Sequence, residues 1–137
     1  MSISSDEILI AKAKEVRSHA YAPYSGYLVG AALRAADGEI FIGANVENLS
    51  FGLTICAERS AIAAMVSAGK QRWTELAVFT NDGGTPCGMC LQTLVEFVED
   101  PSNCRILLCG STGKTTEHRL IELLPMGFAS EAVRRVG

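Results

Sequence analysis

Leu9, Ala13, Val16 and Ala20 recur at the three- and four-residue spacing of one helical face, and Ser4 with Glu7 makes a capping box ahead of them. A first helix is predicted over about residues 5–20. Ala22-Pro23-Tyr24-Ser25-Gly26 breaks that pattern, and two apolar runs, 29–33 and 40–45, then flank Asp37-Gly38, a strong hairpin signal. They are predicted as antiparallel neighbours. Residues 56–68 are rich in helix formers and stop at Gly69, a natural C-terminal cap, so a second helix is expected to begin at Cys56. Leu76 to Thr80 is a short strand-forming run. Gly83-Gly84-Thr85-Pro86 turns the chain into residues 87–98, where Leu91, Leu94 and Val95 are spaced for a third helix starting at Cys87. Arg105 to Cys109 reads as a buried strand, and a short segment up to Pro125 followed by a C-terminal helix completes the pattern. Strands alternating with helices predict an α/β sandwich on a central sheet, with at least one crossover that makes two strands parallel.

Composition narrows the class. The 137 residues suit a single domain, 1–137, and 48% hydrophobic residues with a mean hydropathy of +0.22 are enough for a sizeable core. A net charge of -3 without any block of Lys or Arg gives no electrostatic footprint for nucleic acid. Met1 to Glu7 is polar and acidic, unlike a signal peptide, and no apolar run approaches the roughly 20 residues needed to span a bilayer. No membrane association and a cytoplasmic location are therefore expected. Five cysteines, an odd number, then point to metal ligands or core residues rather than to a disulfide framework. Cys104 and Cys109, in or beside an apolar strand, are expected to be packing residues.

The other three cysteines lie in Cys56-Ala57-Glu58 and Pro86-Cys87-Gly88-Met89-Cys90. Thiolates from Cys56, Cys87 and Cys90 can hold a zinc ion and leave its fourth position free, with Glu58 placed to move protons for whatever binds there. Both groups fall at predicted helix starts, where free N–H groups favour thiolate over thiol. Three thiolates outweigh the charge of Zn²⁺, and Arg59, three residues after Cys56 on the same helical face, is the candidate to offset the excess. Gln92 is a further candidate partner beside the site. A closed structural zinc site would need a fourth protein ligand, and neither His19, His118, Cys104 nor Cys109 has a motif spacing that commends it. Residues 108–115 approach a phosphate-cradling loop, but Leu108 stands where its first glycine is required, so they are read as a polar turn.

Beyond the metal motif, Tyr21-Ala22-Pro23-Tyr24-Ser25, Val29-Gly30-Ala31-Ala32-Leu33, Gly43-Ala44-Asn45-Val46-Glu47-Asn48, Thr54-Ile55-Cys56-Ala57-Glu58-Arg59, Pro86-Cys87-Gly88-Met89-Cys90 and Leu123-Leu124-Pro125-Met126-Gly127-Phe128 occur in order. Together they resemble the short, homotetrameric cytidine deaminases over about residues 8–128. The resemblance implies a three-layer α/β/α sandwich with a mixed five-stranded sheet, one catalytic zinc per subunit, and hydrolysis of cytidine or deoxycytidine to the uridine counterpart plus ammonia. It assigns zinc to Cys56, Cys87 and Cys90, where the metal would acidify a bound water for attack on C4 of the base, and proton transfer to Glu58. By the same resemblance the Ala57 backbone N–H holds the base carbonyl and the Thr85 carbonyl receives the leaving ammonia. Asn45 and Glu47 would take the sugar hydroxyls, which separates a free nucleoside from a polynucleotide strand. Tyr27 stands at the aromatic position that packs on the pyrimidine, where phenylalanine is more usual. Phe128 and Phe51 match aromatics that complete a neighbouring subunit's pocket. Gly26, Leu49 and Leu91 also depart from the family's usual residues. Since these departures and Tyr27 border the pocket, a modified cytidine or an antibiotic aminopyrimidine nucleoside, as for the blasticidin deaminases, is an alternative substrate. A non-catalytic zinc or nucleoside-binding protein is the remaining alternative.

Overall fold

A computed structural model describes residues 3–128. Its elements are α1 (Ser5–Arg17), β1 (Gly30–Ala35), β2 (Ile40–Ala44), a single 3₁₀ turn (Phe51–Leu53), α2 (Ala57–Ser67), β3 (Trp73–Thr80), α3 (Gly88–Glu96), β4 (Arg105–Gly110), β5 (Thr115–Arg119) and α4 (Leu120–Leu123). The sheet runs β2-β1-β3-β4-β5. All its pairings are antiparallel except β3 with β4, which are parallel and joined through α3. The sheet is therefore mixed and five-stranded.

Alternation along the strands builds two separate cores, because successive side chains point to opposite faces. Leu9 and Ala13 of α1 pack on Ala32, Ala77, Phe79 and Leu107. Residues one step away in the strands, among them Leu33, Leu76, Val78, Ile106 and Leu108, face Ala61, Met65 and Leu94 of α2 and α3. A helix-sheet-helix sandwich results. The side of α2 nearest β2 is fitted by Gly43, where a Cβ would stand 2.5 Å from the Ala61 backbone nitrogen and 2.6 Å from the Ala57 oxygen. No side chain fits between them.

Ser4 caps α1 as expected, its hydroxyl accepting from the Glu7 N–H at 3.1 Å. Several boundaries differ from the sequence-based expectation. The first helix ends at Arg17, and β3 begins at Trp73, whose indole N–H donates to the Leu94 carbonyl at 3.0 Å and fixes the strand start against α3. The third helix stops at Glu96. The short segment up to Pro125 holds β5, the fifth strand, and α4. The C-terminal helix falls largely on residues outside those described. Among the described residues no helix is long and apolar enough to cross a membrane.

Candidate active site

Cys56 and Cys87 are the residues immediately before α2 and α3, with extended backbones at ψ 154° and 167°. Neither thiol spends itself capping its own helix. The sulfurs are thus free to face each other at the positive ends of two helices. Cys56 Sγ lies 3.9 Å from Cys87 Sγ, Cys87 Sγ lies 3.5 Å from Cys90 Sγ, and all three fall within 4.8 Å of one another. Tetrahedral zinc with Zn–S near 2.3 Å requires sulfurs about 3.8 Å apart. The cluster fits the ion. His118 Nε2 pairs with the Thr116 hydroxyl on β5 and His19 is exposed after α1, so neither joins the sulfurs. Cys104, just before β4, and Cys109 within it are buried, and desolvation pushes the Cys104 thiol up to about 11. Among the described residues, the donor set is three thiols without a fourth protein ligand.

Arg59 Nη2 donates to Cys56 Sγ at 3.6 Å and to the Thr54 carbonyl at 3.3 Å. Cys56 is drawn down to about 5, first by its hydrogen bond with Cys90 and then by Arg59 and Cys87, against the opposing effect of burial. Cys90 moves upward, as the member of the pair that keeps the proton. Glu58, 5% exposed, projects from the first turn of α2. Desolvation raises its carboxyl to about 7; its own backbone N–H and Arg59 oppose the rise, and Cys56 reinforces it. A carboxyl at that value can hold or release a proton near neutrality, as a group acting in turn as base and acid must.

Cys56, Ala57, Glu58, Thr85 and Cys87 line one cavity of about 260 Å³ together with Tyr27, Asn45 and Glu47. Asn45 and Glu47 lie just beyond β2, which stops at Ala44, rather than inside a strand. Their side chains also brace the segment before β1. Asn45 Oδ1 accepts from the Val29 N–H and its Nδ2 donates to the Tyr27 carbonyl, both at 2.9 Å. Glu47 accepts from the N–H groups of Tyr24 and Ser25 at 3.0 and 3.1 Å and from the Ser25 hydroxyl, which holds its carboxyl below the usual range.

Phe51 stands outside this cavity, 73% exposed, beside Tyr24 and Glu47 in an adjoining hollow. Phe128 is 69% exposed and is not part of the cavity wall in its own chain. Gln92 requires a correction. Instead of meeting the sulfurs, its amide donates to the Phe128 carbonyl at 2.6 Å and accepts from the Phe128 N–H at 3.0 Å. Two residues along a helix is a turn of about 200°, so Gln92 faces away from Cys90. Arg59, three residues from Cys56, is within about 60° of it. Of residues 108–115, expected as a polar turn, Leu108 to Gly110 belong to β4 and Thr115 opens β5; only residues 111–114 turn, closing a hairpin with the Gly110 N–H donating to the Lys114 carbonyl. The turn leads to a strand, not to the helix that a phosphate loop needs.

Sequence reasoning missed Ser25, Thr80 and Asp82. Ser25 and Thr80 line the cavity, and Asp82 accepts a hydrogen bond from the Tyr27 hydroxyl at 2.7 Å. The turn signal Asn81-Asp82-Gly83-Gly84, just ahead of the second thiol group, was the available clue.

The family described as "Cytidine and deoxycytidylate deaminase zinc-binding region" matches residues 3–103. The chain is 41% identical over 127 residues to a cytidine deaminase of Sporosarcina psychrophila, covering 91% of this chain and 92% of that protein. A cytidine deaminase of Halalkalibacterium halodurans is 40% identical over 127 residues, with coverage of 91% and 95%. The crystal structure of cytidine deaminase from Burkholderia pseudomallei superposes with a TM-score of 0.84 at 38% identity, over 92% of this chain and 100% of that one. The fold, the three-cysteine cluster and these matches agree, and the chain belongs to the zinc-dependent cytidine and deoxycytidylate deaminase family.

Proposed function

We infer that this protein, as a single deaminase domain, hydrolyses cytidine and deoxycytidine to uridine and deoxyuridine plus ammonia, a pyrimidine-salvage reaction at a cyclic amidine C–N bond. The observation that carries this reading is Glu58, buried and poised near neutrality, in one cavity with Cys56, Cys87, Asn45 and Glu47. The matched relatives are cytidine deaminases, which favours cytidine over modified aminopyrimidine nucleosides.

Cys56, Cys87 and Cys90 would hold one zinc per subunit, which when bound supplies Lewis acidity toward the attacking water. Glu58 takes one proton from that water and passes it to N3 of the base, then takes the second from the oxygen now on C4 and delivers it to the amino group as the C4–N bond breaks. Oxygen from water ends on C4 and nitrogen leaves as ammonia. The Ala57 N–H at the start of α2 holds the base carbonyl, and the Thr85 carbonyl accepts from the departing ammonia. The Tyr27 ring packs on the base. Asn45 and Glu47 hold the sugar hydroxyls, with capacity left beyond their internal bonds, since an amide has two donors and a carboxylate about four acceptor sites.

Leu49, Phe51, Leu53, Met89 and Phe128 are all more than half exposed. This apolar surface supports a homotetramer in which Phe51 and Phe128 complete a neighbouring subunit's pocket. Reduced thiolate ligands suit a cytoplasmic setting. Ultraviolet absorbance on adding cytidine to zinc-loaded protein tests the reaction. Loss of the cytidine band is expected in the native protein and not in Glu58→Ala. Absence of turnover at full zinc occupancy would refute the activity, and turnover by Glu58→Ala would remove the proton shuttle.

A further inference from the structure

Tyr27 and Asp82 are 55 residues apart, on the segment before β1 and on the loop after β3, and the Tyr27 hydroxyl donates to Asp82 Oδ1 at 2.7 Å. The same oxygen accepts from the Gly84 N–H at 3.1 Å and from the Thr80 hydroxyl at 3.3 Å. Thr80, 3% exposed at the end of β3, accepts from the N–H groups of Gly83 and Gly84 at 2.7 and 3.1 Å. Two side chains therefore share the backbone of the Gly83-Gly84 turn. The fit is close: a Cβ on Gly84 would stand 3.1 Å from the Tyr27 hydroxyl oxygen and 3.2 Å from Asp82 Oδ1.

We propose that Tyr27 and Asp82 are a positioning pair that seats the loop from Gly83 to Thr85 against the cavity on the side where the amino group leaves. This rests on the deaminase reading. Thr85 follows Gly84 directly and lines the cavity with Tyr27 and Glu58, so a shift of the turn moves the carbonyl that receives ammonia. A phenyl ring packs on a pyrimidine as well as a phenol does. The hydroxyl instead acts through the carboxylate, in a charge-assisted bond stronger than a neutral one.

The division of labour makes the pair testable. Tyr27→Phe keeps the ring, so the affinity for uridine, which lacks the amino group, stays within about twofold while kcat for cytidine falls about tenfold, the scale of one lost charged hydrogen bond. Asp82→Ala gives the same loss. Asp82→Asn, which keeps an acceptor oxygen, retains kcat within about threefold of native. The Tyr27→Phe/Asp82→Ala double variant is no slower than Asp82→Ala, because both remove one interaction. Zinc content is the same in all. Native kcat in Tyr27→Phe, additive losses in the double variant, or an equal fall in uridine affinity would overturn the pairing. Hydrogen exchange at the Gly83 and Gly84 amides reads the pair without turnover: about tenfold faster exchange in Tyr27→Phe and Asp82→Ala is expected. Unchanged exchange refutes the pair even if the native protein proves inactive on cytidine, whereas faster exchange in an inactive protein refutes only the substrate.

Discussion

Replacing Arg59 with leucine removes the guanidinium that donates to Cys56 and leaves comparable carbon bulk behind it. Arg59 Nη2 is 3.6 Å from the sulfur, and a full charge pair at that separation is worth about 4–5 kcal/mol at an effective dielectric of ~20. Arg59 is only partly buried, so solvent screening removes roughly half, leaving about 2 kcal/mol or roughly thirtyfold in zinc affinity. That magnitude lies inside the 10–100-fold range typical of groups that support metal ligands. Proton competition gives the effect a pH signature. Cys56 is drawn down to about 5 chiefly by its hydrogen bond with Cys90 and further by Arg59, so losing Arg59 raises it only part of the way toward its free value of 9.0. Zinc must then displace, below neutral pH, a proton that the native protein does not carry, and the affinity deficit narrows as pH rises from about 5 to 7. Competition with a chromogenic zinc chelator across that range measures it, with circular dichroism confirming the fold. Arg59→Lys, which retains the charge without the planar fork, recovers most of the affinity. A deficit below about threefold, or one that does not change with pH, would refute electrostatic support of the thiolates.

Gly43→Ala drives a Cβ into the backbone of α2, at a cost of at least about 2 kcal/mol, and a thermal melt within roughly 2 °C of native would contradict the close contact. Gln92→Ala releases both hydrogen bonds to Phe128, and if Phe128 completes a neighbour's pocket the KM for cytidine rises about five- to tenfold at unchanged zinc content. An unchanged KM would remove that role. Arg105 links Asp6 of α1, Glu75 of β3 and Glu117 of β5. Its hydrogen bonds hold the Asp6 and Glu117 carboxyls below their ordinary values of 3.8 and 4.5, so this stabilisation is present above those values and lost as pH falls through the lower folded ones. The melting-point gap between native protein and Arg105→Met should therefore shrink as pH drops below about 4, and a constant gap would show that the ion pairs do not carry it.

The parts of the site legible in sequence were those fixed by local chemistry. Cys56 precedes a run of helix formers, and Cys87 follows a Gly-Gly-Thr-Pro turn ahead of helically spaced Leu91, Leu94 and Val95, so both helix starts follow from local order. Cys90, Glu58 and Arg59 then fall on known faces of regular helices. What escaped was set by contacts that no pattern along the chain reports. Thr115–Arg119 carries no apolar alternation, and the strand exists because its backbone completes the edge of β4. Gln92 finds its partner 36 residues later in Phe128, and Tyr27 meets Asp82 across 55 residues. No periodicity reports such meetings.

Those distant contacts explain why substrate choice and chemistry are separable here. The three-cysteine cluster and Glu58, proposed to transfer the proton, sit on two helix starts, held by backbone geometry. The opposite rim is a chain of side-chain bonds: Glu47 to Ser25, Ser25 Oγ to the Tyr27 N–H at 3.0 Å, Asn45 to the Tyr27 carbonyl, and the Tyr27 hydroxyl to Asp82 and the Gly84 turn. Groups proposed to hold the sugar thus also fix the segment carrying the aromatic ring, and the Tyr27 hydroxyl bonds through Asp82 to the loop that leads to Thr85. On the proposed reading, filling the sugar end would stiffen the amino end through bonds already made, so that binding energy remote from C4 would serve the orientation of the leaving group. A substitution on this rim alters substrate discrimination while Cys56, Cys87, Cys90 and Glu58 keep their geometry, and a substitution at the helix starts slows every substrate alike.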